Sequence, residues 1–170
     1  MKKLLSIIWT ISLVGIISII SLVACNKPPQ YNEDELIQLK EKNNIKIKNG
    51  ILEWIAPQEK PFSEIGNNKY YFILWRGLKT DKWTLKKYKD VGLAKDNTLI
   101  DTSYNNAKLH RVSHDLQTIA EREYSSWCTP FGFNDKDDGS HFKSIYRWNL
   151  YTQEPNLILD ENSNVKVKGE

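Results

Sequence analysis

Tyr70-Tyr71-Phe72-Ile73-Leu74-Trp75 is a run of six residues with no charged side chain on either side of its alternation. Successive side chains of a strand point to opposite faces, so a run of this kind needs cover on both. It predicts an interior strand, and the rest of the chain can be read by asking what would cover it. On its C-terminal side, beyond a turn at Gly77 to Asp81, Trp83-Thr84-Leu85-Lys86-Lys87-Tyr88 mixes apolar and basic residues, as a strand with one wet side does. On its N-terminal side Ile45-Lys46-Ile47-Lys48 alternates, Asn49-Gly50 suits a two-residue type I′ turn, and Ile51-Leu52-Glu53-Trp54-Ile55 returns, which predicts a β-hairpin. Pro57 and Pro61 end that hairpin, and Gly66-Asn67-Asn68 makes the next turn.

Further out, Glu33 to Lys42 has acids in its first turn, lysines in its last and Leu36 and Leu39 three apart, so it predicts a short helix capped by Asn32. Val91 to Asn106 offers only Leu99 and Ile100 as anchors and is expected to be a long loop. Asp115 to Tyr124 places Leu116, Ile119, Ala120 and Glu123 at helical intervals, with Ser113 or Asp115 as caps, which predicts one amphipathic helix. Phe142 to Tyr151 alternates aromatic with polar residues, and Leu157-Ile158-Leu159-Asp160 pairs naturally with Val165-Lys166-Val167-Lys168 across Glu161 to Asn164. The expectation is an α+β domain spanning residues 33–170, made mainly of antiparallel β-hairpins, about seven strands, with one or two short helices after an N-terminal signal helix. Trp54, Tyr71, Phe72, Ile73, Leu74, Trp75, Leu116, Ile119 and Trp148 are the expected core. Asn164 to Lys168 echoes Asn44 to Lys48, which reads as two similar edge strands rather than as a repeat.

A chain of 170 residues fits one domain. Its hydropathy is unevenly spread: residues 4–24 carry no charge, while the mean hydropathy of the whole is −0.54. Lys2 and Lys3 precede that run, and beyond it 22 basic side chains face 21 acidic ones. The pI of about 8.7 therefore says little about the body of the protein, and nucleic acid is not an expected partner. The basic start and apolar run form an export signal, long enough at its limit to span a bilayer. Its end decides between cleavage and anchoring. Leu22-Val23-Ala24-Cys25 places a small residue before a thiol, and Asn26-Lys27-Pro28-Pro29 then stops any helix.

Those four residues resemble the lipobox of bacterial lipoprotein precursors. The resemblance implies that residues 1–24 are a signal peptide, that Cys25 takes a diacylglycerol thioether and becomes the mature N-terminus, and that residues 25–32 are the lipidated cysteine and a tether. Two lipid chains give stable attachment where one does not. The basic residues before the run place the body on the extracytoplasmic face of the cell membrane. The composition of 20 Lys to 4 Arg, with 15 Asn, 18 Ile and 5 Ala, and the Lys-Lys-Leu-Leu-Ser start are similar to those of surface lipoproteins of mollicutes. Asn49 to Pro57 and Tyr146-Arg147-Trp148-Asn149 look like stretches recurring in such proteins of unknown role. This resemblance brings no catalytic residues.

Candidate chemistry in the body is sparse. His110, His114 and Asp115 would share a helix face at i and i+4 if the helix reached back to His110, a geometry that suits zinc, with His141, Glu121 or Asp135 as unconstrained third ligands. The glutamate of the zinc-protease motif is missing. Asp135-Lys136-Asp137-Asp138-Gly139 hints at a calcium loop but has the wrong offsets, with Tyr146 where a glutamate should close it. Cys128 has no second cysteine to pair with once Cys25 carries lipid, and it reads as a buried structural thiol. The one basic-aromatic stretch is Lys79 to Lys95. Within it Lys82, Lys86, Lys87 and Lys89, interleaved with Trp83 and Tyr88, are the candidate surface for an anionic partner. The expectation is a lipid-anchored surface protein that binds a host or surface macromolecule through that strand, with no cofactor, no metal and no catalysis. The alternative is a small metal-assisted nuclease or peptidase built on His110, His114 and Asp115 or Glu121.

Overall fold

The computed structural model describes residues 29–63, 65–92, 97–119, 131–133, 137–150 and 153–169. Residues 1–28, Cys25 among them, lie outside these, as do Glu121, Cys128 and Asp135. One helix, α1 (Glu33–Asn43), precedes strands β1 (Ile45–Ile47), β2 (Gly50–Ile55), β3 (Tyr70–Trp75), β4 (Thr84–Lys89), β5 (Asn97–Thr102), β6 (Lys108–Val112), β7 (Asp115–Ile119), β8 (Phe131–Gly132), β9 (Phe142–Trp148), β10 (Leu157–Leu159) and β11 (Val165–Val167). They form a five-stranded sheet of order β1-β2-β9-β3-β4, a four-stranded sheet β5-β6-β7-β8 and the hairpin β10-β11. Every pairing is antiparallel. The fold is therefore β-rich, and the α+β expectation of about seven strands and up to two helices is corrected: the described residues hold eleven strands and one helix.

Four of the eleven strands, β5 to β8, are unexpected, and two of them fall in segments that read as something else. Asp115–Ile119 is a strand, joined to Lys108–Val112 by the two-residue turn Ser113-His114. Leu116 and Thr118 point inward and Gln117 outward, a period of two that the 3–4 spacing of Leu116, Ile119 and Ala120 masked. Residues 120–124 of the expected helix lie outside the described residues. The expected loop after Val91 contains β5, whose pairing with β6 shifts between Leu99 and Asp101. Ile100 is the extra residue of that irregularity, which destroys the alternation a sequence reading depends on.

Other expectations hold. β3 is paired on both sides, and Tyr71 to Trp75 are all buried. In α1 the Asn32 side chain accepts from the Glu35 N–H at 2.9 Å while Glu35 accepts from the Asn32 N–H at 3.0 Å, a reciprocal capping box. The first hairpin forms with its turn one residue early, at Lys48-Asn49, and Gly50 opens β2. Gly50 is needed there because the Trp148 indole lies over it, leaving no room for a Cβ. The chain is already held two residues before the helix: Tyr31 N–H donates to Gln58 Oε1 at 2.7 Å and Gln58 Nε2 returns to Tyr31 O at 2.9 Å.

One face of the five-stranded sheet carries Ile55, Tyr71, Ile73, Trp75 and Ile145, and it packs against Ile100, Leu109 and Leu116 of the four-stranded sheet. Of the expected core, Trp54 and Ile119 are only half-buried. Arg111 and Asp90 are fully buried and ion-paired between the two sheets. Asp90 also accepts the N–H groups of Asn67 at 3.1 Å and Gly92 at 3.3 Å. The Arg111 guanidinium donates to Ser63 O and lies 4.9 Å from the Phe62 ring centre. Nearly every polar atom of the pair is thus satisfied, the condition under which a buried pair persists.

Candidate functional site

The register of β4 divides the basic-aromatic stretch. Lys86 lies opposite Ile73 and Tyr88 opposite Tyr71, so both face the four-stranded sheet. Lys86 Nζ is 3.0 Å from Asp101 Oδ1, and Asp101 Oδ2 accepts from Trp75 Nε1 at 3.2 Å. Lys87 and Lys89 lie on the other face, their ammonium groups 5.3 and 5.5 Å from the Tyr70 ring centre. Lys87 is also paired with Glu154 at 2.7 Å. Lys82 sits in the preceding turn, and Trp83 is stacked beneath Arg76 at 4.3 Å. The six residues share no single face, because adjacent positions of a strand point opposite ways.

The histidines are likewise dispersed. His110 is on the outer face of β6, opposite Gln117, and burial together with the charge of Lys108 holds its pKa below the ordinary value. His114 occupies the turn, with Nδ1 3.2 Å from Phe62 O, and Asp115 accepts from the Leu116 N–H. His141 is buried, its Nδ1 3.0 Å from Gly77 O. Among the described residues no three His, Cys, Asp or Glu side chains converge to hold a metal. Asp137, from the acidic stretch, is buried and accepts the N–H groups of Gly139, His141 and Phe142 at 2.9–3.1 Å. Burial pushes its carboxyl above the usual value in spite of those donors. It acts as the internal staple of a turn.

The open part of the molecule is the other face of the five-stranded sheet. Cross-strand pairs there run Leu52–Trp148–Tyr70, then Trp54–Tyr146–Phe72, then Ser144–Leu74. This aromatic face follows from the alternation of β2, β3 and β9, which places large side chains at alternate positions except at Ser144. The β10-β11 hairpin crosses it, with Leu157 packed on the cluster of Leu52, Phe72 and Trp148. Lys143 Nζ donates to Asn162 O at 3.0 Å, Ser163 O at 2.7 Å and Asn164 Oδ1 at 3.3 Å, fastening the hairpin turn to β9.

A groove lies on each side of the hairpin. Toward β4 it has a volume of about 420 Å³, with Phe72, Leu85 and Lys87 facing Glu154 and Pro155. Toward β2 it has a volume of about 410 Å³, with Trp54, Leu74 and Tyr146 as floor, Asn43 and Asn44 on one wall, and Ser163 and Asn164 on the other. Both volumes fall in the range of small-ligand clefts, roughly 300–1,000 Å³. The wall of the second groove arises between α1 and the start of β1: Asn44 Oδ1 accepts the Trp54 N–H at 2.8 Å in place of a strand partner, and α1 lies against β2. Sequence reading missed this site because its residues come from five separate segments. The alternation of aromatics in Phe142 to Tyr151 was the one available signal. No protein-family model matches the chain, and neither a curated protein nor a solved structure matches it.

Proposed function

We propose that this chain is a lipid-anchored surface protein whose β-domain is displayed on the extracytoplasmic face of the cell membrane and binds a ligand there without turnover. The observation that carries the reading is Leu22-Val23-Ala24-Cys25 at the end of an uncharged run, with folded structure held by hydrogen bonds from Tyr31 onward. A thioether-linked diacylglycerol supplies two acyl chains, each buried methylene adding about 0.8 kcal/mol of membrane affinity. The short segment between Cys25 and Tyr31 then keeps the domain close to the lipid surface. Two open grooves on an aromatic sheet face support a binding role. The division of the lysines between two faces turns that role away from the β4 strand alone.

The test is processing. Globomycin, or a Cys25→Ser substitution, should leave a full-length precursor, and wild-type protein should incorporate labelled palmitate and be cut by protease added to intact cells. A Cys25→Ser chain still trimmed after Ala24 and released into the medium would sink the anchored reading.

A further inference from the structure

We propose that the groove between α1, β2 and the β10-β11 hairpin is a binding site for a neutral oligosaccharide. The inference rests on the binding role proposed above but is independent of the lipid anchor. Its floor carries a cross-strand aromatic pair: Trp54 and Tyr146 are directly opposite in register, both are half-buried, and both line the groove with part of their surface open. The C–H-rich faces of a pyranose pack well on such rings, which provide apolar area at little cost in conformational entropy.

The walls supply side-chain amides. Asn43 Nδ2 donates to Leu39 O at 2.8 Å and Asn44 Oδ1 accepts the Trp54 N–H at 2.8 Å, and each amide keeps a further N–H and further lone pairs. The two consecutive residues therefore offer both donors and acceptors to sugar hydroxyls, which themselves give and take hydrogen bonds. Both amides are held in place by their internal bonds, so little ordering is required on binding.

Charge narrows the ligand class. Among the described residues lining this groove none is acidic, and of its two lysines Lys143 spends its ammonium on the hairpin turn. Among the described residues no guanidinium fork lines the groove to clamp a phosphate or sulfate bidentately. Length points to more than one ring. Trp54, Lys143 and Ser144 also border a second cleft of about 190 Å³ that runs on toward Tyr31 and Pro57, so a chain laid across Trp54 has somewhere to go in both directions.

The experiment applies the full-length chain, in a detergent without a sugar head group, to an immobilised panel of neutral, sialylated and sulfated oligosaccharides. One or more neutral oligosaccharides should be retained, with little dependence on salt, and should quench tryptophan emission. Trp54→Ala should weaken retention at least tenfold and abolish the quenching, Asn43→Ala should weaken it several-fold, and Trp83→Phe, stacked under Arg76 elsewhere, should change neither. If Trp54→Ala fails to give a normal melt, Trp54→Phe together with Asn43→Ala decides the matter. Retention of sulfated or sialylated glycans alone, falling steeply with salt, would overturn this proposal while leaving a surface-binding role intact. Retention of neutral glycans undiminished by these substitutions, or no retention of any glycan, would also overturn it. Cys25→Ser should leave retention unchanged, so failure of the anchor and failure of the site are read separately.

Discussion

The two faces of the five-stranded sheet are built from the same three strands and differ in how they are covered. One meets a second sheet: Tyr71, Ile73 and Trp75 disappear among Leu109, Leu116 and Ile100, and a buried ion pair ties the layers together. The other meets an eleven-residue hairpin, Leu157 to Val167, whose ladder joins no other sheet and which rests on the aromatic face through one leucine and a lysine. Area decides the difference. A full sheet can bury an alternating row of side chains along every strand, whereas a short hairpin covers the middle of the face and leaves a groove to either side. Stability should therefore reside on the first face and ligand access on the second.

The strongest way to break that division is to strip the pair that joins the sheets. Asp90→Ala leaves the Arg111 guanidinium buried without its carboxylate and should cost about 3–5 kcal/mol, read as a collapse of the urea midpoint. Replacing both residues by apolar ones of similar size should recover most of the loss. An Asp90→Ala midpoint near that of the parent would show that water reaches the pair.

Next in size is a matched truncation on each face. Ile73→Ala removes a fully buried side chain from the inter-sheet core and should cost about 2–5 kcal/mol. Leu157→Ala removes the hairpin's half-buried contact and should cost roughly 1 kcal/mol, in line with partial burial. Equal effects would mean that both faces carry equal weight.

A smaller effect is expected when the hairpin is unfastened. Lys143→Met should lower global stability by about 1 kcal/mol or less, because the side chain is exposed, yet hydrogen exchange in 157–167 should accelerate while amides of β3 and β9 stay protected. The smallest effect is electrostatic. Burial pushes the Glu53 carboxyl up, but the hydrogen bonds and charge of Arg147, helped by Lys40, outweigh it and hold the carboxyl below its ordinary value of 4.5. A depressed carboxylate stabilises the fold fully above that ordinary value and loses its contribution as pH falls through the lower folded one. Glu53→Gln should therefore lower stability slightly near neutral pH, leave it nearly unchanged in strong acid, and so flatten the acid limb of the stability profile.

How much of this was legible in the sequence depended on whether alternation survived. Tyr70 to Trp75 announced a strand buried on both faces because no polar residue interrupts it. Lys108 to Val112 announced nothing, since its second inward position is Arg111, and a buried arginine mimics a surface residue unless its partner, 21 positions earlier, is known. At Leu99 to Asp101 the bulge broke the period, and at Leu116 to Ile119 two periods fitted the same residues. The lysines of β4 were legible as a cluster but not as a surface. A list of neighbours in sequence carries no face until the strand is known to be a strand. The groove was not legible at all, because Asn43, Trp54, Tyr146 and Asn164 meet only through tertiary pairing.

The strand order also sets a timetable. β9 lies in the middle of the five-stranded sheet, between β2 and β3, although its residues 142–148 come late in the chain. During synthesis the β1-β2 and β3-β4 hairpins can each close from local contacts, but neither can join the other until β9 arrives to bridge them. Until then the chain holds two ribbons whose inner edges are unpaired, and Tyr70 to Trp75, an uninterrupted apolar segment, forms one of those edges. A nascent chain of this design leaves its five-stranded sheet unfinished until Trp148 is made. Any chain that must stay unfolded until it reaches its place gains from such late closure, and the same delay is a hazard wherever the unfinished chain accumulates.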